Sequence, residues 1–227
     1  MDDSKRAAAE KALDYVQSGM ALGLGTGSTI AHFLDLLGER LHSGALDDVR
    51  GVPTSEHTAQ RARELGIELT TLTKTPQLDL AIDGADEVDD QLNLIKGLGR
   101  AMLREKIVAA HAARFVVMVD ESKLVSRLGR GPLPVEIVPF EARAHVRWLC
   151  SVCSRSELWL QADGTKAVTD NGNYLARCYF DNGIGDAAAF ARALADRPGI
   201  VEHGLFLQMA SEVVIAGSAG VQVRRRD

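Results

Sequence analysis

Three short segments of the chain carry residue types that could hold and rearrange a small phosphorylated molecule. The first is Gly23-Leu24-Gly25-Thr26-Gly27-Ser28-Thr29. Its glycines let a backbone approach an anion closely, and its hydroxyls, with the free N–H groups of a following helix, complete a phosphate cradle. The Gly-Lys-Ser/Thr ending of a nucleotide P-loop is absent. As a dinucleotide fingerprint it is imperfect, because Ser28 stands where the third small residue would fall. The second is Asp83-Gly84-Ala85-Asp86-Glu87. Three acids so close together repel one another unless something cationic or protic sits beside them. Sugar hydroxyls or a magnesium ion would serve. The third runs from Lys96-Gly97-Leu98-Gly99 through Arg100 to Glu105. A lysine beside a glycine turn can hold negative charge developing on oxygen. A carboxylate inside the next helix, desolvated by apolar neighbours, has the raised pKa that a general base needs.

These segments work together only if the chain brings them to one end of a sheet. Apolar Ala8, Ala12, Leu13 and Val16 predict a helix over 4–17, and a strand follows at 20–24. The glycine-rich turn then leads into a helix at 30–41. A strand at 49–52, a helix at 55–65 capped by Thr54 or Ser55, and strands at 67–72 and 78–82 come next. The second glycine turn opens a helix at 100–111, and 115–119 reads as a buried strand. Such β/α alternation implies a Rossmann-like parallel sheet with helices on both faces. Ligands of open α/β sheets bind at the carboxyl ends of the strands, and all three segments fall at such ends.

The pattern changes at Gly129-Arg130-Gly131-Pro132-Leu133-Pro134, a plausible linker. Beyond it the expectation is strand 135–139, helix 141–151, strands 157–161 and 173–180, helix 186–196 and strand 200–206. That order, βαββαβ, is ferredoxin-like. A last strand at 213–217 suits the first sheet better. The expected organisation is therefore an α/β domain of residues 1–131 and 207–227 carrying an inserted α+β domain, 132–206.

Composition narrows the function classes. A formal net charge of -5 spread along the chain argues against nucleic-acid binding. The run Arg224-Arg225-Arg226 reads as solvated or as a strand end. No stretch approaches the ~20 apolar residues of a membrane span. The beginning, Met1-Asp2-Asp3-Ser4-Lys5-Arg6, lacks the apolar core of a secretory signal, and a cytoplasmic location is expected. Cys150, Cys153 and Cys178 fit a reducing compartment. The Cys150–Cys153 pair follows what reads as the later half of a helix, so two buried small residues on one helical face are expected rather than a redox or zinc site. The six histidines are scattered without ligand spacing. No metal and no cofactor is expected.

Taken in order, these segments resemble the ribose-5-phosphate isomerase type A family. The match runs nearly end to end. Lys5 precedes the first helix, Gly25–Thr29 is similar to the family's phosphate-side loop, Asp83–Glu87 to its acidic loop, and Leu103–Ile107 to its catalytic helix. Ser122-Lys123, Pro132–Glu136, Thr169–Asn173 and Pro198–Phe206 also match. The resemblance implies reversible conversion of D-ribose 5-phosphate to D-ribulose 5-phosphate, within the pentose phosphate pathway and without a metal. It implies that Glu105 moves a proton between carbons 1 and 2 through an enediolate. Asp83 and Asp86 would contact sugar hydroxyls and assist ring opening, and Lys96 would stabilise the enediolate oxygen. Thr26, Gly27, Ser28 and Thr29, helped by Lys5 and Lys123, would hold the phosphate. Gly84, Ala85, Gly97, Leu98 and Gly99 complete the expected substrate contacts. Family members are homodimers or homotetramers, and no nucleic-acid or membrane partner is implied.

One departure stands out. The family usually has Lys-Gly-Gly-Gly-Ala where this chain has Lys96-Gly97-Leu98-Gly99-Arg100. If the middle position takes a positive φ, Leu98 is strained by ~1–2 kcal/mol. If the turn needs only close backbone approach, Leu98 crowds the sugar. Two alternatives stay open on sequence alone: an amino-sugar phosphate deaminase-like enzyme on the same fold, and a non-catalytic sugar-phosphate sensor. The intact Asp83, Asp86, Lys96 and Glu105 weigh against a sensor, which needs no proton-transfer group. Nicotinamide dinucleotide binding at the glycine turn is not expected.

Overall fold

The computed structural model describes residues 2–226; Met1 and Asp227, the outermost residues of the expected first domain, lie outside the described residues. The elements in chain order are α1 (Asp2–Leu13), β1 (Ala21–Leu24), α2 (Ser28–His42), β2 (Arg50–Pro53), α3 (Glu56–Glu64), β3 (Glu68–Leu69) and β4 (Leu80–Gly84). Next come β5 (Glu87–Val88), β6 (Leu94–Ile95), α4 (Met102–Ala110), β7 (Phe115–Asp120) and a 3-10 turn, Glu121–Lys123. The remainder is β8 (Leu133–Ile137), α5 (Ala142–Leu149), β9 (Arg155–Leu158), β10 (Tyr174–Tyr179), α6 (Ala187–Ala195), β11 (Ile200–His203), β12 (Leu205–Phe206), β13 (Glu212–Gly217) and β14 (Gly220–Arg225).

The chain forms two compact units. The first comprises residues 2–85, 104–124 and 208–226, and the second 86–103 and 125–207. Residues 86–103 belong to the second unit because β5 and β6 pair with each other and β6 pairs with β12. Neither β5 nor β6 is expected from the sequence pattern, since each is only two residues long.

The first unit is built on a seven-stranded sheet ordered β14-β13-β7-β4-β1-β2-β3. All neighbours are parallel except the β13–β14 hairpin. The strands are buried on both faces, as the six consecutive buried residues of β7 show, which is why they read as apolar runs instead of alternating ones. From β1 the chain steps outward to β2 and β3, then returns to the other side through β4, β7 and β13. The gap between β1 and β4 is therefore the topological switch point, where such sheets bind ligands. On one face, α1 and α2 bury Ala8, Ala12, Phe33 and Leu37 against Leu22, Ile82, Val116 and Met118. Each large side chain of this layer contributes about 1.5–3 kcal/mol. On the other face, Val108 of α4 packs with Val52 and Leu78.

The second unit contains a four-stranded antiparallel sheet, β11-β8-β10-β9, and the three-stranded sheet β12-β6-β5. Apolar residues of α5 and α6, including Leu149 and Leu194, pack on Val135, Ile137, Ala176 and Cys178. The expected single strand at 200–206 is two strands in different sheets, separated at Gly204. A Cβ at Gly204 would lie 2.2 Å from the Lys96 carbonyl oxygen, so glycine is required where the chain changes partner.

Three smaller expectations are corrected. The Cys150–Cys153 pair does not lie buried on one helical face: α5 ends at Leu149, Cys150 caps it and is exposed, and Cys153 is partly exposed. Strand β3 is two residues long, not six. Within the second glycine turn Arg100, not Leu98, takes the left-handed backbone, at φ 67°. Among the described residues no helix is long and apolar enough to cross a membrane.

Candidate active site

In the first unit the glycine loop and the first acid of the Asp83 segment are fitted to each other. The Gly25 N–H donates to the Ile82 carbonyl at 2.9 Å. The Asp83 carboxylate, 2% exposed, accepts from the Thr26 N–H at 3.1 Å and from its own neighbour, the Gly84 N–H, at 2.7 Å. Asp83 is thus a buried carboxylate held at the switch point by backbone donors.

Gly27 enters α2 with φ 124° and has no side chain to cap it. The first N–H groups of α2 are left to whatever lies before the helix, the arrangement that favours an anion. Ser28 Oγ receives a hydrogen bond from Lys5 Nζ at 2.8 Å. Lys123 lies in the 3-10 turn after β7. Asp120, at the end of β7, feels the charge of both lysines. Burial alone would raise its pKa, yet the Ser122 hydroxyl and N–H, with the charges of Lys123 and Lys5, hold it below the usual carboxylate range. Lys5 and Ser28 are thus in contact at the start of α2, and the charges of Lys5 and Lys123 both act on Asp120 at the end of β7.

Four hydroxyls, three of which the sequence reading did not single out for the site, lock the other side of the loop. Thr26 Oγ1 lies 2.8 Å from Thr54 Oγ1, 2.9 Å from Ser55 Oγ and 3.2 Å from Thr58 Oγ1. Thr58 Oγ1 donates to the Gly25 carbonyl at 2.8 Å, and Thr54 Oγ1 to the Leu24 carbonyl at 3.0 Å. Ser55 is the residue that caps α3, through its contact with the Thr58 N–H. The sequence signal was present as a cap, Thr54 or Ser55, but a cap gives no hint that its hydroxyls also reach Thr26.

Glu105 is 3% exposed on α4. Its helix lies directly over β1: a Cβ at Gly23 would meet Val108 Cγ1 at 2.5 Å. Farther along, Ala112 packs with Leu78 and Ala21, at the beginnings of β4 and β1. The helix therefore runs antiparallel to these strands. Glu105, three residues before Val108 and on the same helical face, lies toward the strand ends that carry Gly25 and Asp83.

The second unit holds Asp86, Lys96, Gly97, Leu98 and Gly99. Asp86 Oδ2 accepts from the Leu98 N–H at 2.9 Å, and the Asp86 N–H donates to the Ile95 carbonyl at 2.8 Å. Lys96 is 2% exposed, its N–H donates to the Gly204 carbonyl at 2.9 Å, and its ammonium lies 5.5 Å from the centre of the Phe206 ring. Burying an ammonium this deeply costs several kcal/mol unless compensated. Gly97 has φ 110° and would bring a Cβ within 3.0 Å of Met102. The Leu98 side chain is 39% exposed. Glu87 departs from the expected role of its segment: it is 3% exposed and accepts from the N–H groups of Gly129, Arg130 and Gly131, fixing a loop.

The chain is similar to known proteins over its whole length. The family description "Ribose 5-phosphate isomerase A (phosphoriboisomerase A)" matches residues 50–220. A ribose-5-phosphate isomerase A of Roseiflexus castenholzii is 58% identical over 97% of this chain and 95% of its own. A probable ribose-5-phosphate isomerase of Arabidopsis thaliana is 47% identical over 99% of this chain and 87% of its own. The structure of the ribose 5-phosphate isomerase from Plasmodium falciparum superposes with a TM-score of 0.96 at 39% identity, covering 100% of both chains. A D-ribose-5-phosphate isomerase in complex with phospho-erythronic acid superposes with a TM-score of 0.95 at 39% identity, over 99% of this chain and 98% of that one. With the family description spanning most of the sequence and relatives well above 30% identity across nearly all of it, the chain belongs to the ribose 5-phosphate isomerase A family.

Proposed function

We propose that this chain interconverts D-ribose 5-phosphate and D-ribulose 5-phosphate, with Glu105 as the base. In this reading Glu105 takes the proton from carbon 2 of the open-chain aldose and returns it to carbon 1. Over the same cycle one proton passes from oxygen 2 to oxygen 1. Asp83 and Asp86 assist that transfer and ring opening, and Lys96 offsets the charge of the enediolate oxygen. Thr26, Gly27, Ser28 and Thr29, with Lys5 and Lys123, take the phosphate, and Gly84, Ala85, Gly97, Leu98 and Gly99 line the sugar. Every proton is moved by a residue of the chain, so the cycle calls on no cofactor.

The observation that carries this reading is the meeting, at one switch point, of two kinds of group. A helix start flanked by Lys5 and Ser28 is suited to a phosphate ester, and a buried Asp83 held by backbone N–H donors lies at the strand ends toward which Glu105 also points. An anchored phosphate holds the reacting carbons against the base, and such positioning can supply several kcal/mol of the barrier reduction.

The strand order β11-β8-β10-β9 with α5 and α6 supports a ferredoxin-like fold for the expected insertion 132–206. Residues 86–103, expected in the Rossmann-like domain of 1–131 and 207–227, group instead with the same compact unit as that insertion. The three free thiols support a reducing, cytoplasmic setting, and the family resemblance supports a homodimer or homotetramer in the pentose phosphate pathway.

A solvent-exchange experiment tests the reaction directly. Ribose 5-phosphate incubated with the protein in deuterium oxide should yield ketose, with deuterium entering beside the carbonyl. Absence of both ketose and label would refute the proposal and favour the deaminase-like alternative.

A further inference from the structure

The first unit contains a cavity of about 460 Å3 that the proposed isomerisation does not use. It opens at the outer end of the sheet, between the carboxyl ends of β2 and β3 and the exposed flank of α4. Its walls are Val52, Leu69, Leu72 and Ile107, and its basic groups are Arg63 and Arg104. The size falls within the range of clefts that hold small ligands.

Its place in the sheet sets it beside the phosphate loop, across Ser55 from Thr26. Lys5 meets Ser28, and the charges of Lys5 and Lys123 act on Asp120 at the end of β7. The cavity lies on the opposite side, beyond β1, since the order runs β7-β4-β1-β2-β3. A sugar phosphate held by Lys5 and Lys123 therefore leaves it open.

The lining selects a chemistry. Ile107 is 43% exposed and lines the cavity together with three other apolar walls. A flat apolar ring would cover it. Arg104 pairs with Glu56 at 2.8 Å, whereas Arg63 lies exposed on the rim and forms no ion pair among the described residues. One guanidinium is thus open to an anion, and Arg104 lies nearby, paired with Glu56. We propose that this cavity is a second ligand site, for an anionic group carried on a flat apolar ring. An aromatic acid and a purine nucleotide share that chemistry.

The site also touches groups that matter to the reaction. Arg104 immediately precedes Glu105 on α4, and Ser55, which lines the cavity, hydrogen-bonds to Thr26. Occupancy would bear on both the base and the phosphate loop without competing for either.

Isothermal titration of the full chain with naphthalene-2-sulfonate and, separately, with adenosine 5′-monophosphate tests the proposal. The expected result is one site per chain, with a Kd on the order of 0.1–1 mM for at least one probe. The preferred probe tells which of the two sources the site suits. Arg63→Glu and Ile107→Lys, both at exposed positions, should each weaken binding by about tenfold or more while thermal unfolding stays unchanged. An equilibrium mixture of ribose and ribulose 5-phosphates at saturation should leave the titration intact. The proposal is overturned by no binding of either probe at about 5 mM, by binding that both variants leave unchanged, or by displacement with the sugar phosphates.

Discussion

Gly25 and Asp83 are in such close contact that a Cβ on residue 25 would lie 2.2 Å from Asp83 Oδ1 and 2.7 Å from Asp83 Cα. The nearer atom can swing aside, but the second is backbone of β4 and cannot. Glycine at 25 is therefore demanded by the neighbouring strand, not by its own dihedral angles. Gly25→Ala should push Asp83 off the backbone N–H groups that hold it and lower kcat/KM by about 100-fold, the scale of a 1 Å misplacement. Gly44→Ala is the control. Gly44 has φ 73° with open space around it, so that variant should lose ~1 kcal/mol of stability and keep kcat/KM. Equal kcat/KM in the two variants would remove the contact from the mechanism.

Glu105 is buried on a helix whose direction carries it toward the ends of β1 and β4. If it moves the proton, Glu105→Gln keeps the shape and hydrogen-bonding capacity of the side chain but removes the basicity. Turnover should fall by ~100-fold or more while KM for ribose 5-phosphate stays within a few fold. Steady-state kinetics separate the cases. A proportional loss in binding would mean that the carboxylate supports the structure instead.

The hydroxyl cluster around Thr26 gives a different signature. Thr58 Oγ1 donates to the Gly25 carbonyl and also touches Thr26. Thr58→Val preserves volume and leaves that buried carbonyl without its donor, at a cost of about 1–3 kcal/mol. The loop that would hold the phosphate loses its brace, but Glu105 keeps its place. KM should therefore rise several-fold, with kcat changed by less than about threefold. A fall in kcat with KM unaltered would contradict a role in holding the loop.

The parts legible in the sequence were those with local signatures. Apolar runs over β1, β4 and β7 marked buried parallel strands; the glycine loop follows β1, and Asp83 stands at the end of β4. What escaped depends on contacts between distant residues. Strands β5 and β6 are two residues each, too short for any period to appear. Glu87 looked like a third acid awaiting a sugar or a cation, yet its donors lie 42 to 44 positions later, at Gly129–Gly131. The strain assigned to Leu98 belongs to Arg100, because the turn closes with the Arg100 N–H donating to the Gly97 carbonyl at 2.9 Å. Thr54 and Ser55 were recognisable as helix caps, but only the fold brings them against Thr26.

Glu212 shows how the returning C-terminal segment is fixed, and it sets a pH dependence. It is 6% exposed on β13 and accepts from Tyr15 Oη at 2.8 Å, from Arg225 Nε at 3.0 Å and from Arg114. Burial alone would raise its pKa, but the hydrogen bonds from Arg114, Arg225 and Tyr15 outweigh it and hold the carboxyl below its ordinary value near 4.5. A carboxyl depressed in the folded state binds its proton more readily when unfolded, so its contribution is complete above the ordinary value and is lost as pH falls through the lower folded one. Glu212→Gln should therefore be less stable than the parent at neutral pH, by about 1–3 kcal/mol. The two should converge under acid conditions, because the variant has no proton to take up at this position. Urea unfolding at pH 7 and at successive values below 4.5 would check this; a gap between the two proteins that stayed constant across the whole range would show that the charge of Glu212 contributes nothing to holding the segment.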